Sequence, residues 1–148
     1  MTCALLVLCL LPLPLLAGEI VSVVPLRFGA IDLNPAGDTV IIGAEHGQAT
    51  PMASRSLVTG GGSGRITLRS ADVEHAEILF PATVALTKGG EQIVLRNMDI
   101  RSQYQGVGVD LPGGNIAVDV HVGGELVFQG NEQPGQYSGD LLIELNFH

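Results

Sequence analysis

The pattern that most constrains this chain is strict alternation near its C-terminus. Tyr137, Gly139, Leu141, Ile143, Leu145 and Phe147 occupy one set of alternate positions. Ser138, Asp140, Leu142, Glu144, Asn146 and His148 occupy the other, with Leu142 the apolar exception. Successive side chains of a β-strand point to opposite faces, so a period of two sorts the run into an apolar and a polar face. Burying Tyr137, Leu141, Ile143, Leu145 and Phe147 at ~1.5–3 kcal/mol each gives roughly 7–15 kcal/mol as an upper bound. A whole domain's net stability is about 5–15 kcal/mol. The run is therefore expected to be a principal core strand.

Shorter period-two runs recur upstream, at residues 21–28, 39–42, 55–59, 65–69, 77–80, 83–87, 92–100, 115–121 and 125–129. Turn-forming clusters separate them, at residues 34–38, 60–64 and 88–90. The glycine-rich stretch 60–64 reads as a hairpin loop between the strands on either side. After Gly18 no apolar set keeps a helical spacing for more than two turns. About eight to ten short strands with turn signals every ~8–12 residues predict an all-β fold, an antiparallel immunoglobulin-like β-sandwich. With 148 residues in all, the stretch 19–148 forms one domain.

The N-terminus has a different character. Residues 1–18 carry no charged side chain, and fourteen of the first seventeen are hydrophobic. Interrupted by Pro12 and Pro14, the run is short for a bilayer span of ~20 residues and matches the apolar region of a secretory signal peptide. No Lys or Arg follows Met1, and a cut at Ala17 or Gly18 would place Leu15 or Leu16 where a small residue is preferred. A retained membrane anchor and a buried helix are the other readings. With residues 1–18 as a signal peptide, Cys3 and Cys9 leave with it. The mature chain then has no disulfide, thiolate nucleophile or zinc–sulfur site.

Charge and composition exclude further classes. Seven Lys and Arg against fifteen Asp and Glu give a net charge of −8. That balance opposes nucleic acid and anionic lipid, which require a basic surface. No tryptophan, two tyrosines and four phenylalanines leave little for an aromatic stacking platform. Nucleophile elbow, helical metal-binding His pair, P-loop and paired-Cys motif are all missing from the sequence. Asp32, Asn34 and Asp38 crowd a turn but lack the spacing of a calcium loop. His46, His75, His121 and His148 are scattered, and Glu74 and Glu77 beside His75 read as a solvated loop. No catalytic, cofactor-binding or metal-ligating residue is assigned, and no cofactor is expected.

The order of motifs carries a resemblance. Residues Pro25-Leu26-Arg27-Phe28-Gly29-Ala30-Ile31 precede Gly37-Asp38-Thr39-Val40-Ile41-Ile42. Ser56-Leu57-Val58-Thr59-Gly60 precedes the glycine-rich turn and Arg65-Ile66-Thr67-Leu68. Val122-Gly123-Gly124-Glu125-Leu126 is followed by Gln133-Pro134-Gly135-Gln136-Tyr137-Ser138-Gly139 and the closing alternation. Over residues 25–147 this resembles the bacterial exported family called domain of unknown function 4402, itself similar to spore-coat-U-like and fimbrial subunits with immunoglobulin-like sandwiches. The resemblance implies no reaction. It implies a secreted, non-catalytic structural or adhesive module in the periplasm or at the surface of a bacterium. Its expected partners are copies of itself, other envelope proteins or a periplasmic chaperone, with no nucleic acid and no small-molecule cofactor. Many fimbrial subunits hold a disulfide in the sandwich, and this mature chain has none.

Such subunits can assemble by strand donation, in which a neighbour's extended segment completes an open sheet. The candidate assembly strand has Ile20, Ser22, Val24 and Leu26 on one face and Val21 and Val23 on the other. The same stretch also reads as the domain's own first strand. An alternative function is a soluble binding module for a protein or glycan, using the loops at residues 44–52 and 101–114 with Tyr104.

Overall fold

The computed structural model describes residues 18–44, 48–53, 56–102 and 108–148. The expected leader and Tyr104 lie outside the described residues, as do 45–47 and 103–107 of the two candidate binding loops. Strands run in chain order as β1 (Glu19–Val24), β2 (Ala30–Asp32), β3 (Asp38–Ile42), β4 (Ala49–Pro51), β5 (Leu57–Thr59), β6 (Gly64–Arg69), β7 (Val73–Leu79), β8 (Thr83–Lys88), β9 (Glu91–Ser102), β10 (Gly108–Pro112), β11 (Val118–Phe128) and β12 (Glu144–Phe147). Every pairing is antiparallel. No helix occurs among the described residues. The fold is the antiparallel β-sandwich that the period-two pattern predicts.

The central element is β11. One of its edges pairs with β9 from Val120 to Val127, and β9 continues to β8. Its other edge changes partner midway. Val118 to Val122 pair with β6, and Gly124 to Phe128 pair with β3. The large sheet thus forks, with β6 and the edge strand β1 on one branch and β3 and β4 on the other. A second sheet, β10-β7-β12, faces the β6 branch. A short β2–β5 pair borders the other.

The fork explains the glycine pair that reads, in the sequence, as a break between two strands. A Cβ on Gly123 would overlap the Ile42 carbonyl and lie 2.7 Å from Ala44 N. Only glycine lets the β3 backbone approach so closely. Opposite it, β9 carries a bulge: Gly123 faces Asp99 and Glu125 faces Arg96, leaving Asn97 and Met98 against Gly124. Asn97 adopts a left-handed φ of 47° there, a conformation asparagine tolerates better than most residues. The predicted strands 115–121 and 125–129 are therefore one continuous strand.

The fork divides the core into two clusters. Ile66, Leu68, Ala76, Ile78, Val109, Leu111, Val118, Val120 and Val122 pack between the two sheets. Phe28, Val40, Ile42, Val84, Ile93, Leu95, Leu126 and Phe128 form the second cluster. Leu141 touches both. The glycine-rich stretch 60–64 is not a hairpin loop, because β5 pairs with β2 and β6 pairs with β1 and β11. It carries the chain between these layers and is pinned by reciprocal backbone hydrogen bonds between Arg27 and Gly62, at 3.0 and 2.7 Å. The strand β10 falls within residues that read as loop, since it starts on Gly108, ends on Pro112 before Gly113 and Gly114, and offers too short a period for the pattern to register.

Candidate functional site

Ser22 anchors β1 to β6. Its hydroxyl donates to Thr67 Oγ1 at 3.1 Å, and Thr67 donates to Asp119 Oδ1 at 2.6 Å, so a short polar chain crosses β1, β6 and β11. Arg65 lies 3.7 Å from the same Asp119 carboxylate, and Arg69 pairs with Glu19. These contacts all lie on the outer face of the sheet. The register from Ile20↔Leu68 to Ser22↔Thr67 skips Val21, which is the extra residue of a bulge.

That bulge changes which residues share a face. Directly opposed residues lie on the same side of a sheet, so Ile20 and Val23 share the core side with Leu68 and Ile66, whereas Ser22 and Val24 face outward with Thr67 and Arg65. Ile20, Ser22, Val24 and Leu26 thus do not form one face. Leu26 lies beyond the strand, half-buried against the second cluster. A period-two reading could not anticipate a single inserted residue.

Although Ile20 and Val23 point to the core side, they are 53% and 62% exposed, while their partners Leu68 and Ile66 are buried. Val21 and Val24 are exposed as well. The second sheet does not extend over β1. All six residues of β1 are exposed, and Glu19 is its one charged side chain. Edge strands are usually protected by lysine, proline or inward-pointing charge. This one presents apolar side chains and its outer backbone edge together.

The far edge of the large sheet is closed by contrast. The segment from Gln133 to Gly139 folds along β8, where Ser138 and Thr87 exchange backbone hydrogen bonds of 2.8 and 3.2 Å. Gly139 permits the approach, because a Cβ there would overlap the Ala85 carbonyl. The Tyr137 hydroxyl donates to Glu91 Oε2 at 2.7 Å, with the Gln133 carbonyl 2.9 Å away. Lys88 Nζ lies 5.8 Å from the Tyr137 ring centroid and donates to the Pro134 carbonyl. The hydrogen bond to the Glu91 carboxylate, together with burial and the charges of Glu91 and Glu132, pushes the Tyr137 hydroxyl up to about 12. The family-like motif around Tyr137 is therefore a latch on the β8–β9 hairpin.

The rest of the C-terminal run differs from the expectation of one long core strand. Only Glu144–Phe147 joins a ladder, beside β7. Tyr137, Leu141, Ile143, Leu145 and Phe147 keep their alternation but are half-buried, packing onto the rims of the clusters. The sequence shows which residues face in, but the run leaves β8 at Ser138 and joins β7 only from Glu144.

The remaining sequence candidates do not converge. Asp38 is buried, and its carboxylate accepts from Thr39 N (2.8 Å), Ala53 N (3.2 Å) and Ser56 N (3.0 Å). Burial alone would raise its pKa, but those backbone donors outweigh it and hold the carboxyl below the usual range. Asn34 Oδ1 accepts from Ala36 N at 2.9 Å, an Asx turn. Asp38 thus organises a loop from within. His75 Nδ1 lies 2.7 Å from Asp110 Oδ1 on the outer face of the second sheet, and His148 Nε2 lies 3.9 Å from Glu77. Glu74 points the other way, into the sandwich, so it does not join His75. No group of three or more metal-binding side chains occurs among the described residues.

A family model described as "Domain of unknown function (DUF4402)" matches residues 19–147. No curated protein and no solved structure matches the chain.

Proposed function

Taking as premise that the chain belongs to the DUF4402 family over residues 19–147, we propose that it is an exported, non-catalytic structural or adhesive surface subunit that joins copies of itself through β1. The observation that carries this reading is the exposure of Ile20 and Val23 on the core side of an edge strand. A strand held on one edge and uncovered on both faces gains little from its own domain. It can leave β6 and be replaced by the β1 of a neighbour with the same ladder and register, and the released strand does the same for the next copy. Fibre-like growth follows from such head-to-tail exchange, since the contact is heterologous and need not close.

Cysteines placed at Ser22 and Thr67 test it. These residues oppose one another with side-chain oxygens 3.1 Å apart, and the domain contributes no other thiol. Oxidation of the assembled S22C/T67C protein is expected to give a ladder of covalent multimers on a non-reducing gel, with fibres in negative-stain micrographs. Monodisperse particles carrying only the intramolecular disulfide would sink the assembly reading in favour of a soluble binding module.

A further inference from the structure

Glu74 lies on β7 between Val73 and His75, with the same parity as Ala76 and Ile78, both fully buried. Its register partner Leu111 is also fully buried. Glu74 therefore projects into the sandwich, where Oε2 is shut off from solvent and accepts no hydrogen bond from the described residues. An ionised oxygen in that position is costly unless a positive donor meets it. One backbone position packs on the residues that flank β7 there. A Cβ on Gly18 would lie 3.1 Å from Leu111 Cδ1 and overlap the Phe147 ring. Leu111 flanks β7 on one side opposite Glu74, and Phe147 flanks it on the other opposite Ala76. Gly18 thus packs against the two side chains that flank β7 at the level of Glu74 and Ala76, where a Cβ would run into the Phe147 ring. The neighbouring acid, Glu19, already holds Arg69.

From this juxtaposition we infer that residue 18 is the mature amino terminus and that its α-ammonium group docks on the Glu74 carboxylate. Hydrolysis of the Ala17–Gly18 peptide bond by a signal peptidase, with one water consumed, leaves the carboxylate on Ala17 and the amine on Gly18. At neutral pH that amine is protonated, and it supplies the donor that Glu74 Oε2 lacks. Processing then does more than release the chain. It creates the charge that completes the end of the sandwich and fixes the start of β1. The inference rests on the export reading, and the test separates the two.

The full chain, exported from a bacterial host with its own leader, is purified as the wild type and as Glu74→Gln. Intact mass gives the terminal residue. Cyanate at neutral pH carbamylates the α-amine, and peptide mapping distinguishes it from Lys88, the one lysine of the chain. The terminus is expected at Gly18. Carbamylation is expected to lower the folding constant of the wild type about tenfold, and that of E74Q less than about twofold. A retained leader would overturn the export reading and the docking with it. A terminus elsewhere, or equal effects in the two proteins, would overturn the docking alone. Should E74Q not fold, the wild type still decides: its α-amine is expected to react about tenfold more slowly than that of a peptide spanning residues 18–24, and equal rates would refute the pairing.

Discussion

β1 and β11 draw on the same residue type and reach opposite fates. Valine supplies most of the apolar positions in both, Val21, Val23 and Val24 in one and Val118, Val120, Val122 and Val127 in the other. Yet β1 is exposed along its whole length, and β11 alternates between buried and half-buried. The difference lies in neighbours. β11 has a strand on each edge and, over its first half, the second sheet on one face, whereas β1, among the described residues, has β6 on one edge and both faces exposed. Apolar residues stabilise a strand only in proportion to the area that neighbours remove from water.

The comparison breaks most decisively at Val120, which is fully buried. Val120→Asp places an unpaired charge between the sheets at several kcal/mol, comparable with the whole domain's stability. Loss of the cooperative urea transition is expected, and a soluble variant with an unchanged midpoint would refute the central placement of β11. Leu126→Ala, on the other branch of the fork, is expected to cost about 2–5 kcal/mol by chemical denaturation. A similar loss at Val120→Ala and Leu126→Ala in one transition would show that the two clusters unfold together.

Asp38 ties residues 53 and 56 to the start of β3, so Asp38→Asn is expected to cost about 2–3 kcal/mol at neutral pH. Its folded pKa lies below the unfolded value of about 3.9. The contribution is therefore present above pH ~4 and lost as pH falls through the folded value. The wild type should lose stability more steeply than D38N in that acid window, and parallel curves would contradict the assignment. Tyr137 behaves in the opposite sense. Its folded value of about 12 lies above the ordinary value of 10.0, so its contribution is held below pH 10 and lost as pH rises through 12. Tyr137→Phe should remove that alkaline limb while leaving the acid limb unchanged.

The smallest effect on the monomer is the most informative about β1. Val23→Thr is expected to change the unfolding free energy from urea titration by less than about 0.5 kcal/mol, because the side chain is already in water. If β1 is exchanged between copies in the same register, Val23 keeps the same surroundings in the assembly, so sedimentation of the assembled protein should change as little as the monomer's stability. A large monomer loss would mean that β1 belongs to the core after all.

Much of this was legible in the sequence because antiparallel strands advertise their faces. The alternation at 39–42, 65–69 and 92–100 corresponds to β3, β6 and β9. The motif around Tyr137 was recognisable, though its role as a latch depends on Glu91, Thr87 and Lys88, about fifty residues upstream and linked to it by no local pattern. The bulge at Val21 was invisible, since one inserted residue leaves the composition of a strand unchanged while moving Ser22 to the other face. Glu74 read as part of a solvated loop because a glutamate beside a histidine carries no local sign that it will point inward.

What the sequence determined by itself was the period of the chain, and with it an all-β, antiparallel architecture. Alternation is a local property, fixed by how each residue's side chain leaves the backbone. What only the tertiary structure decided was the partner of each edge: the fork at Gly123, the latch on β8 and the uncovered side of β1. Those depend on contacts between residues far apart in the chain, whose free energy comes from removing shared surface from water, and no stretch of sequence states which surface it will share.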